Sequence, residues 1–411
     1  MDKDILAKAV PAKSKVAQCE DSLKEIRHGM CDMIRPPTKV MTLAGYFPHV
    51  FTEDYRLSAT FFTSPLIWSL FILVSTIGKV LAFSLLRSTL FPHLQSSSST
   101  EQFCNQLLFF TLYSTSCFFK VQAVIKRKQT ASFWNRTCSL LQQFCNGDKD
   151  FNLFSSEGKY HYLYIFNCAR VKAGAWIIVG YSILVPILQT FEHPGKLSGH
   201  QDFDQGTSNN DTAIALPENV TYIIIFLLRF TSSFTQLHAS FVAFIIVFIK
   251  TYAACLQIIL SEMKETISQL QASSLPITSV NSAAEPSYGN KHAQKVKNCI
   301  ESYDVLEDLV ELFNEHFAAE IICHILFSVV SILVHAFYMV FRQLQGTIVS
   351  KMTTLVPPLT LGIQLYVIAT DATRFRTLAK AIMVELSKID PEKVPRPLQF
   401  KVSRRPTVKI H

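Results

Sequence analysis

The fold class is decided by residues 319–341, which read AEIICHILFSVVSILVHAFYMVF and contain one charged side chain, that of Glu320. About 20 apolar residues in a helix are enough to cross the hydrocarbon core of a bilayer. Five further segments share this apolar character, namely 62–86, 104–125, 171–191, 222–249 and 353–370. The sequence therefore predicts an all-α, polytopic membrane helical bundle with six spans.

The composition of the whole chain agrees with this class. Of the 411 residues, 49% are hydrophobic and 17% are charged, whereas an ordinary soluble domain carries about 25% charged residues. Such a composition excludes a disordered chain, a nucleic-acid-binding domain and a small disulfide scaffold. None of the ten cysteines lies within the predicted outer loops, and no CxxC pair occurs. Reduced thiols are therefore expected.

The distribution of basic residues predicts how the spans are oriented. Lys and Arg number 31 in four segments and four in the remaining three loops. The four basic segments are 1–61, 126–170, 250–318 and 371–411. Because the cytoplasmic loops of membrane proteins are the basic ones, both termini are predicted to lie in the cytoplasm.

Acceptors for N-glycosylation give a separate prediction of the same topology. Asn210 and Asn219 stand in Asn-X-Thr tripeptides within the acidic loop 192–221, which the charge count places outside. Asn219 directly abuts the fourth span, where the bilayer restricts access to it. Asn135 stands in a third tripeptide within the basic loop 126–170 and is predicted to stay unmodified.

The spans and charges together divide the chain into five regions. These are a cytoplasmic N-terminal segment (1–61), spans one to four (62–249), a cytoplasmic helical anchor region (250–318), spans five and six (319–370) and a cytoplasmic tail (371–411). In the anchor region, apolar residues at helical spacing predict two long amphipathic helices, 251–272 and 294–316. Such helices need partners, either each other or a neighbouring subunit. The two helices are predicted to hold subunits together, so that charge substitutions at Leu306 and Phe313 weaken the oligomer. The tail begins with a shorter amphipathic helix at 375–388.

One group of side chains is compatible with a metal site. His316, Glu320 and His324 share one helix face, where two imidazoles and a carboxylate are possible ligands. However, a rise of about 1.5 Å per residue sets the outer two about 12 Å apart, so a polar gating contact at Glu320 is the preferred interpretation. No nucleotide-binding, metalloprotease or nucleophile-elbow motif occurs. The chain is predicted not to be an enzyme and to need no cofactor.

Polar residues inside the spans are the candidate ligand-binding residues. Polar groups are costly in lipid and usually face the interior of the bundle. The candidates are Tyr181, Gln189, Arg229, Gln236, His238, His335, Tyr338, Thr360 and Gln364. Together they suit a cavity for a small polar ligand that enters from outside, and interhelical hydrogen bonding is the alternative. Pro357 and Pro358 are predicted to kink the sixth span, and Lys79 and Lys120 either to snorkel or to be satisfied within the bundle.

Three local stretches carry a family resemblance. Residues 35–48 read RPPTKVMTLAGYFP, with a proline-rich start and a Gly-aromatic-Pro end. Residues 303–309 read YDVLEDL and are followed by Phe313, Asn314 and Phe317. Residues 398–408 read LQFKVSRRPTV and follow the 375–388 helix. In this arrangement the chain resembles the insect gustatory and odorant receptor superfamily, and specifically a gustatory receptor.

The resemblance implies a function. Members of this family have a cytoplasmic N-terminus and form ligand-gated, non-selective cation channels of four subunits. It implies an outer ligand pocket between the spans, a tetramer contact made by the cytoplasmic helices, and a location in the cell membrane of sensory neurons. The partners would be a small-molecule tastant (a sugar, a bitter compound or a lipid-derived cue), related receptor subunits and the bilayer, without nucleic acid.

In one respect the sequence departs from the family. Family members end with a seventh span that lines the pore, and this chain stops at His411 before such a span. We therefore expect a truncated gene model or splice form, or else a genuine six-span regulator. The pore assignment is carried onto no residue of this sequence.

Other classes of membrane protein compete with this interpretation. A G-protein-coupled-receptor-like receptor would place its N-terminus outside, against the charge count. Transporters often contain inverted repeats with broken helices at matching positions, and the break at Pro357 and Pro358 has no counterpart here. A membrane-embedded metalloenzyme that uses His316 and His324 is the third alternative.

Overall fold

The computed structural model describes residues 3–60, 63–90, 99–147, 153–154, 158–192, 239–272, 287–341 and 348–388. Its helices are α1 Lys3–Leu43, α2 Ser64–Leu90, α3 Ser99–Ile125, α4 Arg127–Gly147, α5 His161–Glu192, α6 Ala239–Ala272, α7 Ser287–Phe341 and α8 Ile348–Ser387. Strands β1 Val50–Phe51 and β2 Leu57–Ser58 form a small antiparallel hairpin. The predicted fold class, an all-α membrane helical bundle, is confirmed.

Four stretches of the described chain are long and apolar enough to cross a membrane. They are Gln106–Ile125, Ser240–Gln269, Gln294–Val340 and Leu355–Ser387, and a shorter apolar stretch lies at Ser64–Gly78. The predicted spans 104–125, 319–341 and 353–370 all fall inside helices. Residues 222–238 of the predicted fourth span lie outside the described residues.

Helices α6, α7 and α8 are much longer than a bilayer is thick. The 55 residues of α7 correspond to about 80 Å of helix, against about 30 Å of hydrocarbon. The helix predicted at 294–316 and the fifth span are therefore one rod, most of which projects beyond the membrane. In the same way, the helix predicted at 375–388 is the end of α8, which continues through Pro357 and Pro358.

The N-terminal segment forms a long helix that the sequence analysis did not predict. Helix α1 packs against α4, α5 and α6 and buries Ile26, Met30 and Ile34 completely. At Gly29 the backbone lies so close to the ring of Phe154 that any Cβ would collide with it. The segment 1–61 is therefore not a loose tail, because part of it belongs to the core of the chain.

The stretch that resembles the receptor family contains the end of α1. Gly45 has a positive φ of 76°, and the N–H of Tyr46 donates to the carbonyl of Met41 at 2.8 Å. The N–H of Gly45 donates to the carbonyl of Thr42 at 3.1 Å, which completes a Schellman motif that requires a left-handed residue. The turn directs Tyr46 and Phe47 into the bundle, where both are buried.

The basic loop predicted at 126–170 contains another packed helix. Helix α4 packs on α7 and on α1, and its residues Trp134, Cys138 and Leu141 are buried. The indole N–H of Trp134 donates to the carbonyl of Tyr55 at 2.9 Å, which ties α4 to the β-hairpin. The basic residues near the start of α4 contributed to the charge count that predicted the topology. Another face of the same helix belongs to the core.

Helices α6 and α7 are each other's partners, as one of the two sequence interpretations allowed. Leu306 and Phe313 are 2% and 6% exposed within the single chain, and the ring of Phe313 lies 6.0 Å from that of Tyr252 on α6. Side chains buried in this way cannot also cover a neighbouring subunit. Leu306 and Phe313 therefore do not form a subunit contact themselves, because the two apolar stripes face each other within the chain. That the two helices hold subunits together stays a prediction for their other faces.

Candidate functional site

The structure locates four of the nine predicted ligand-binding side chains. Arg229, Gln236 and His238 lie outside the described residues, as do the predicted glycosylation sites Asn210 and Asn219. Tyr181 and Gln189 belong to α5, but the description does not extend to their side chains. His335 and Tyr338 on α7, and Thr360 and Gln364 on α8, are the four that remain.

Two of these four form hydrogen bonds within their own helices. The imidazole Nδ1 of His335 donates to the carbonyl of Ser331 at 2.7 Å, and the hydroxyl of Thr360 donates to the carbonyl of Val356 at 2.8 Å. Tyr338 is buried, with its ring 5.9 Å from that of Phe337. These two bonds use Nδ1 of His335 and the hydroxyl proton of Thr360. The other imidazole nitrogen and the hydroxyl lone pairs are left for other partners.

Gln364 is the most unusual of the four. Its side chain is 7% exposed, and neither its amide nitrogen nor its amide oxygen has a hydrogen-bond partner among the described residues. Burying an unpaired amide costs on the order of 1–3 kcal/mol, so such a group is expected to have a partner in the working protein. This makes Gln364 the strongest of the predicted ligand-binding residues.

His324 is a second buried polar residue of the helix pair formed by α7 and α8, which pack together. His324 is 2% exposed, and its Nε2 is 3.4 Å from the hydroxyl of Ser328. The sequence analysis considered His324 only as a metal ligand and did not identify it as a buried polar residue of this helix pair.

A second group of polar contacts lies where α3 ends and α4 begins; we call it the polar junction. It consists of Lys126, Thr130, His316 and Glu320. The ammonium of Lys126 donates to the carboxylate of Glu320 at 2.8 Å and to the carbonyl of His316 at 3.0 Å. The hydroxyl of Thr130 lies 3.1 Å from Nε2 of His316. These contacts join α7 to the α3–α4 corner.

Aromatic rings and the N-terminal hairpin enclose the polar junction. The ring of His316 stacks on that of Phe133 with centroids 4.9 Å apart and an interplanar angle of 8°. Nearby, His49 donates through Nε2 to the carbonyl of Arg127 at 2.9 Å. Burial lowers the pKa of His49 to about 4, so this imidazole is neutral at physiological pH.

The proposed metal ligands are engaged in these contacts. Glu320 pairs with Lys126, and His316 contacts Thr130 and Phe133. Within the part of the chain that the structure describes, no group of three His, Cys, Asp or Glu residues is placed to hold a metal ion. Glu320 therefore has a polar contact, as the preferred sequence interpretation expected.

Lys120 is a buried cation inside the bundle. Its ammonium donates to the hydroxyls of Thr76 at 2.8 Å and Ser116 at 2.9 Å, and it lies 5.1 Å from the ring centroid of Tyr46. The hydroxyls of Tyr46 and Ser116 are 2.9 Å apart. Of the two predictions for Lys120, satisfaction within the bundle is the one that the structure shows. The side chain of Lys79 is outside the description.

These observations define a polytopic helical membrane protein with the fold of the insect olfactory receptors. The fold is similar to that of the insect olfactory receptor OR5 from Machilis hrabei, with a TM-score of 0.59 and 9% sequence identity. The similarity covers 90% of this chain and 88% of that one. The structure of the same receptor in complex with eugenol gives a TM-score of 0.58 and 13% identity over the same coverage. No protein-family model and no curated protein matches the sequence.

Proposed function

We propose that this chain is a chemosensory receptor subunit of a ligand-gated, non-selective cation channel. The observation that carries the proposal is the similarity of fold, over most of both chains, to an insect olfactory receptor that has been solved with the small molecule eugenol. The local resemblance of residues 35–48, 303–309 and 398–408 to gustatory receptors favours a tastant as the ligand. The subunit would act in the cell membrane of sensory neurons and catalyse no reaction.

The ligand would bind between the spans, among the nine candidate side chains. The buried, unpaired amide of Gln364 would accept and donate hydrogen bonds to a small polar ligand. His335, Tyr338 and Thr360 would line the route towards it from the outer side. Asn210 would carry a glycan on the outer loop, whereas Asn219 directly abuts the fourth span, where the bilayer would restrict its modification.

Ligand binding would be transmitted by α7. This helix runs without interruption from the outer candidates His335 and Tyr338 through Glu320 to the cytoplasmic core. A displacement of its outer half has to change the contact between Glu320 and Lys126, which holds α7 to the α3–α4 corner. The polar junction would therefore set the balance between the closed and open states.

Four subunits would assemble through surfaces that are exposed in the single chain. On α7 the side chains of Glu307, Asp308, Glu311 and Glu315 are exposed, whereas Leu306 and Phe313 are buried. A contact between subunits in the cytoplasm would therefore use this acidic face, paired with basic groups of a neighbouring subunit.

Electrophysiology tests the proposal. The full-length chain is expressed alone and together with related receptor subunits, and cation currents are recorded during application of a panel of sugars, bitter compounds and lipid-derived cues. We expect at least one compound to evoke a current that Gln364→Ala shifts to higher concentration and that Ile363→Ala, an exposed neighbour, leaves unchanged. A chain that reaches the cell surface and never alters current with any subunit would refute the proposal.

A further inference from the structure

A cavity of about 450 Å³ lies between α5, α6 and α8, away from the candidate ligand site. Asn167 and Tyr162 of α5, Lys250 and Gln257 of α6, and Asp371 and Arg374 of α8 belong to its lining. The predicted third span begins at 171, the fourth ends at 249 and the sixth ends at 370. The cavity therefore opens where three spans reach the cytoplasmic boundary of the bilayer.

A buried ion pair forms the inner part of the cavity. The ammonium of Lys250 lies 3.2 Å and 3.1 Å from the two carboxylate oxygens of Asp371, and both side chains are 12% exposed. Because the two charges compensate each other, Asp371 does not make the cavity anionic. The remaining charge at this place is positive and is contributed by arginines.

Two arginines at this boundary have donor capacity to spare. Among the described residues, the recorded hydrogen-bond partner of Arg374 is Gln257, whose amide oxygen accepts at 3.0 Å. Arg170 lies with its guanidinium carbon 4.2 Å from the ring centroid of Phe166, which also lines the cavity. A guanidinium carries five N–H donors in a planar fork that matches the oxygens of a phosphate. Both side chains can therefore offer paired donors to a phosphate group.

An apolar surface leads from the bilayer to these arginines. On α5 the exposed side chains Tyr162 and Phe166 lie beside the cavity, and Trp176 and Ile177, which are 71% and 70% exposed, lie within the predicted third span. Phe166, Trp176 and Ile177 follow Tyr162 by 4, 14 and 15 residues, which are close to one and four helical turns, so the four side chains share one broad face of α5. Acyl chains can lie along this face while the headgroup lies at its inner end.

We propose that the cavity between α5, α6 and α8 binds the headgroup of an anionic phospholipid from the cytoplasmic leaflet. The phosphate accepts hydrogen bonds from Arg374, which lines the cavity, and from Arg170, which follows Phe166 by about one helical turn. The acyl chains pack on the α5 face that contains Phe166, Trp176 and Ile177. Occupation links α5 to α8 at the point where both helices leave the membrane.

Fluorescence quenching tests this site in the full-length protein. The chain is reconstituted into nanodiscs of phosphatidylcholine with an increasing fraction of phosphatidylserine that carries brominated acyl chains. Trp176 is the reporter, and the signal from this site is the part of the quenching that Trp176→Phe removes. For the unaltered chain we expect quenching to saturate at a low fraction of phosphatidylserine, and brominated phosphatidylcholine at the same fraction to quench less.

Matched variants separate the site from general surface charge. Arg374→Gln is expected to raise the half-saturating fraction about fivefold, the order of effect of one basic residue near an anionic leaflet, and Arg374→Lys is expected to raise it less. Arg376→Gln, on an exposed residue of the same helix, is expected to leave it unchanged. Equal effects of Arg374→Gln and Arg376→Gln would overturn the proposal.

Two further arms complete the test. If Arg374→Gln does not give a monodisperse protein, Arg170→Gln is compared with Lys172→Gln, for which the same difference is expected and whose absence would refute the site. Millimolar inorganic phosphate is added to the loaded nanodiscs and is expected to leave the quenching intact. Reversal by inorganic phosphate would mean a site for free anions and would overturn the assignment to a lipid.

Discussion

Helices α6 and α8 are both apolar and of similar length, yet the chain uses them in opposite ways. In its most apolar stretch, α6 buries 78% of its residues within the chain, whereas α8 buries 17%. Phe248 and Ile259 of α6 are fully buried, and Leu359, Ile363 and Tyr366 of α8 are between 55% and 71% exposed. The apolar side chains therefore form part of the internal core in α6 and an exposed surface of the chain in α8.

The difference shows why hydropathy alone does not identify the packing of a membrane bundle. Lipid tails are as apolar as leucine, so an apolar side chain in a span gains little by moving from lipid to protein. The parts of the chain outside the bilayer have no such freedom, because water surrounds them and the hydrophobic effect favours burial. Helix α6 is central in both environments, and α8 is peripheral along most of its length.

Truncation of Phe248 is expected to lower the free energy of unfolding more than any other change. A small effect would contradict the difference between α6 and α8. Phe248→Ala removes a fully buried ring that contacts Phe133, Phe244 and Phe317 and is expected to lower the free energy of unfolding by about 3–5 kcal/mol. Leu359→Ala on the exposed surface of α8 is the control and should change it by less than about 0.5 kcal/mol. Thermal unfolding of both purified variants measures the difference, and similar melting temperatures would contradict the assignment of α6 to the core.

A second test concerns the ion pair of the polar junction, which lies at the boundary between membrane and water. Glu320→Gln leaves the Lys126 ammonium without its charged partner, while Lys126 remains 21% exposed. We expect a loss of about 2 kcal/mol, since partial access to water reduces the usual cost of breaking a buried pair. Glu301→Gln, on an exposed position of α7 outside the proposed contact between subunits, is the matched control. Equal melting temperatures for the two variants would mean that the pair contributes nothing.

A third test concerns how the burial of His49 makes the free energy of unfolding depend on pH. The pKa of His49 is about 4 in the folded chain and about 6.5 in an unfolded one, so the unfolded state takes up the proton first. The stabilisation is complete above pH 6.5 and is lost as the pH falls towards 4. Between pH 7 and pH 5 we expect about 1–2 kcal/mol of this loss to come from His49.

Variants of two histidines isolate this contribution. His49→Gln should make the melting temperature less sensitive to pH over that interval than in the unaltered chain. His28→Gln replaces an exposed imidazole and should leave the sensitivity as it is. If the two variants behave alike, the burial of His49 is not what makes stability depend on pH.

The smallest expected effect on stability belongs to Gln364. Replacing an unpaired buried amide by the similarly sized Gln364→Leu removes a desolvation cost, so the free energy of unfolding should stay constant or rise by about 1 kcal/mol. The ligand response should nevertheless be lost if the amide binds the ligand. Unfolding and current recordings on the same variant separate the two roles, and a substantial loss of stability would indicate a structural partner for the amide.

The sequence predicted the helices best where one rule governed a long stretch. Residues 319–341 contain one charge in a run long enough to span a bilayer, and the predicted helix is there. Helix α1 was missed although Ile26, Met30, Met33 and Ile34 follow helical spacing. Pro36 and Pro37 disfavour a continuous helix, and tertiary packing of α1 on α4, α5 and α6 outweighs that local preference.

The contacts of the candidate site were harder to predict from the sequence, for a different reason. Lys126 and Glu320 are 194 residues apart, and no periodicity connects α3 with α7. Glu320 attracted notice because it shares a helix face with His316 and His324, but nothing in the sequence pointed to Thr130 or His49 as its surroundings. In the same way, Gln364 stood among nine equal candidates until its burial distinguished it.

The continuity of α7 has a mechanical consequence. A continuous helix that is held at His316 and Glu320 can act as a lever with its fulcrum near the middle. Its arms are about 45 Å towards Ser287 and about 30 Å towards Phe341. A sideways movement of 2 Å at the outer tip, about the size of common helix shifts, becomes about 3 Å at the opposite tip. The geometry of one rod would thus amplify a small displacement near His335 into a larger one at the opposite end of α7.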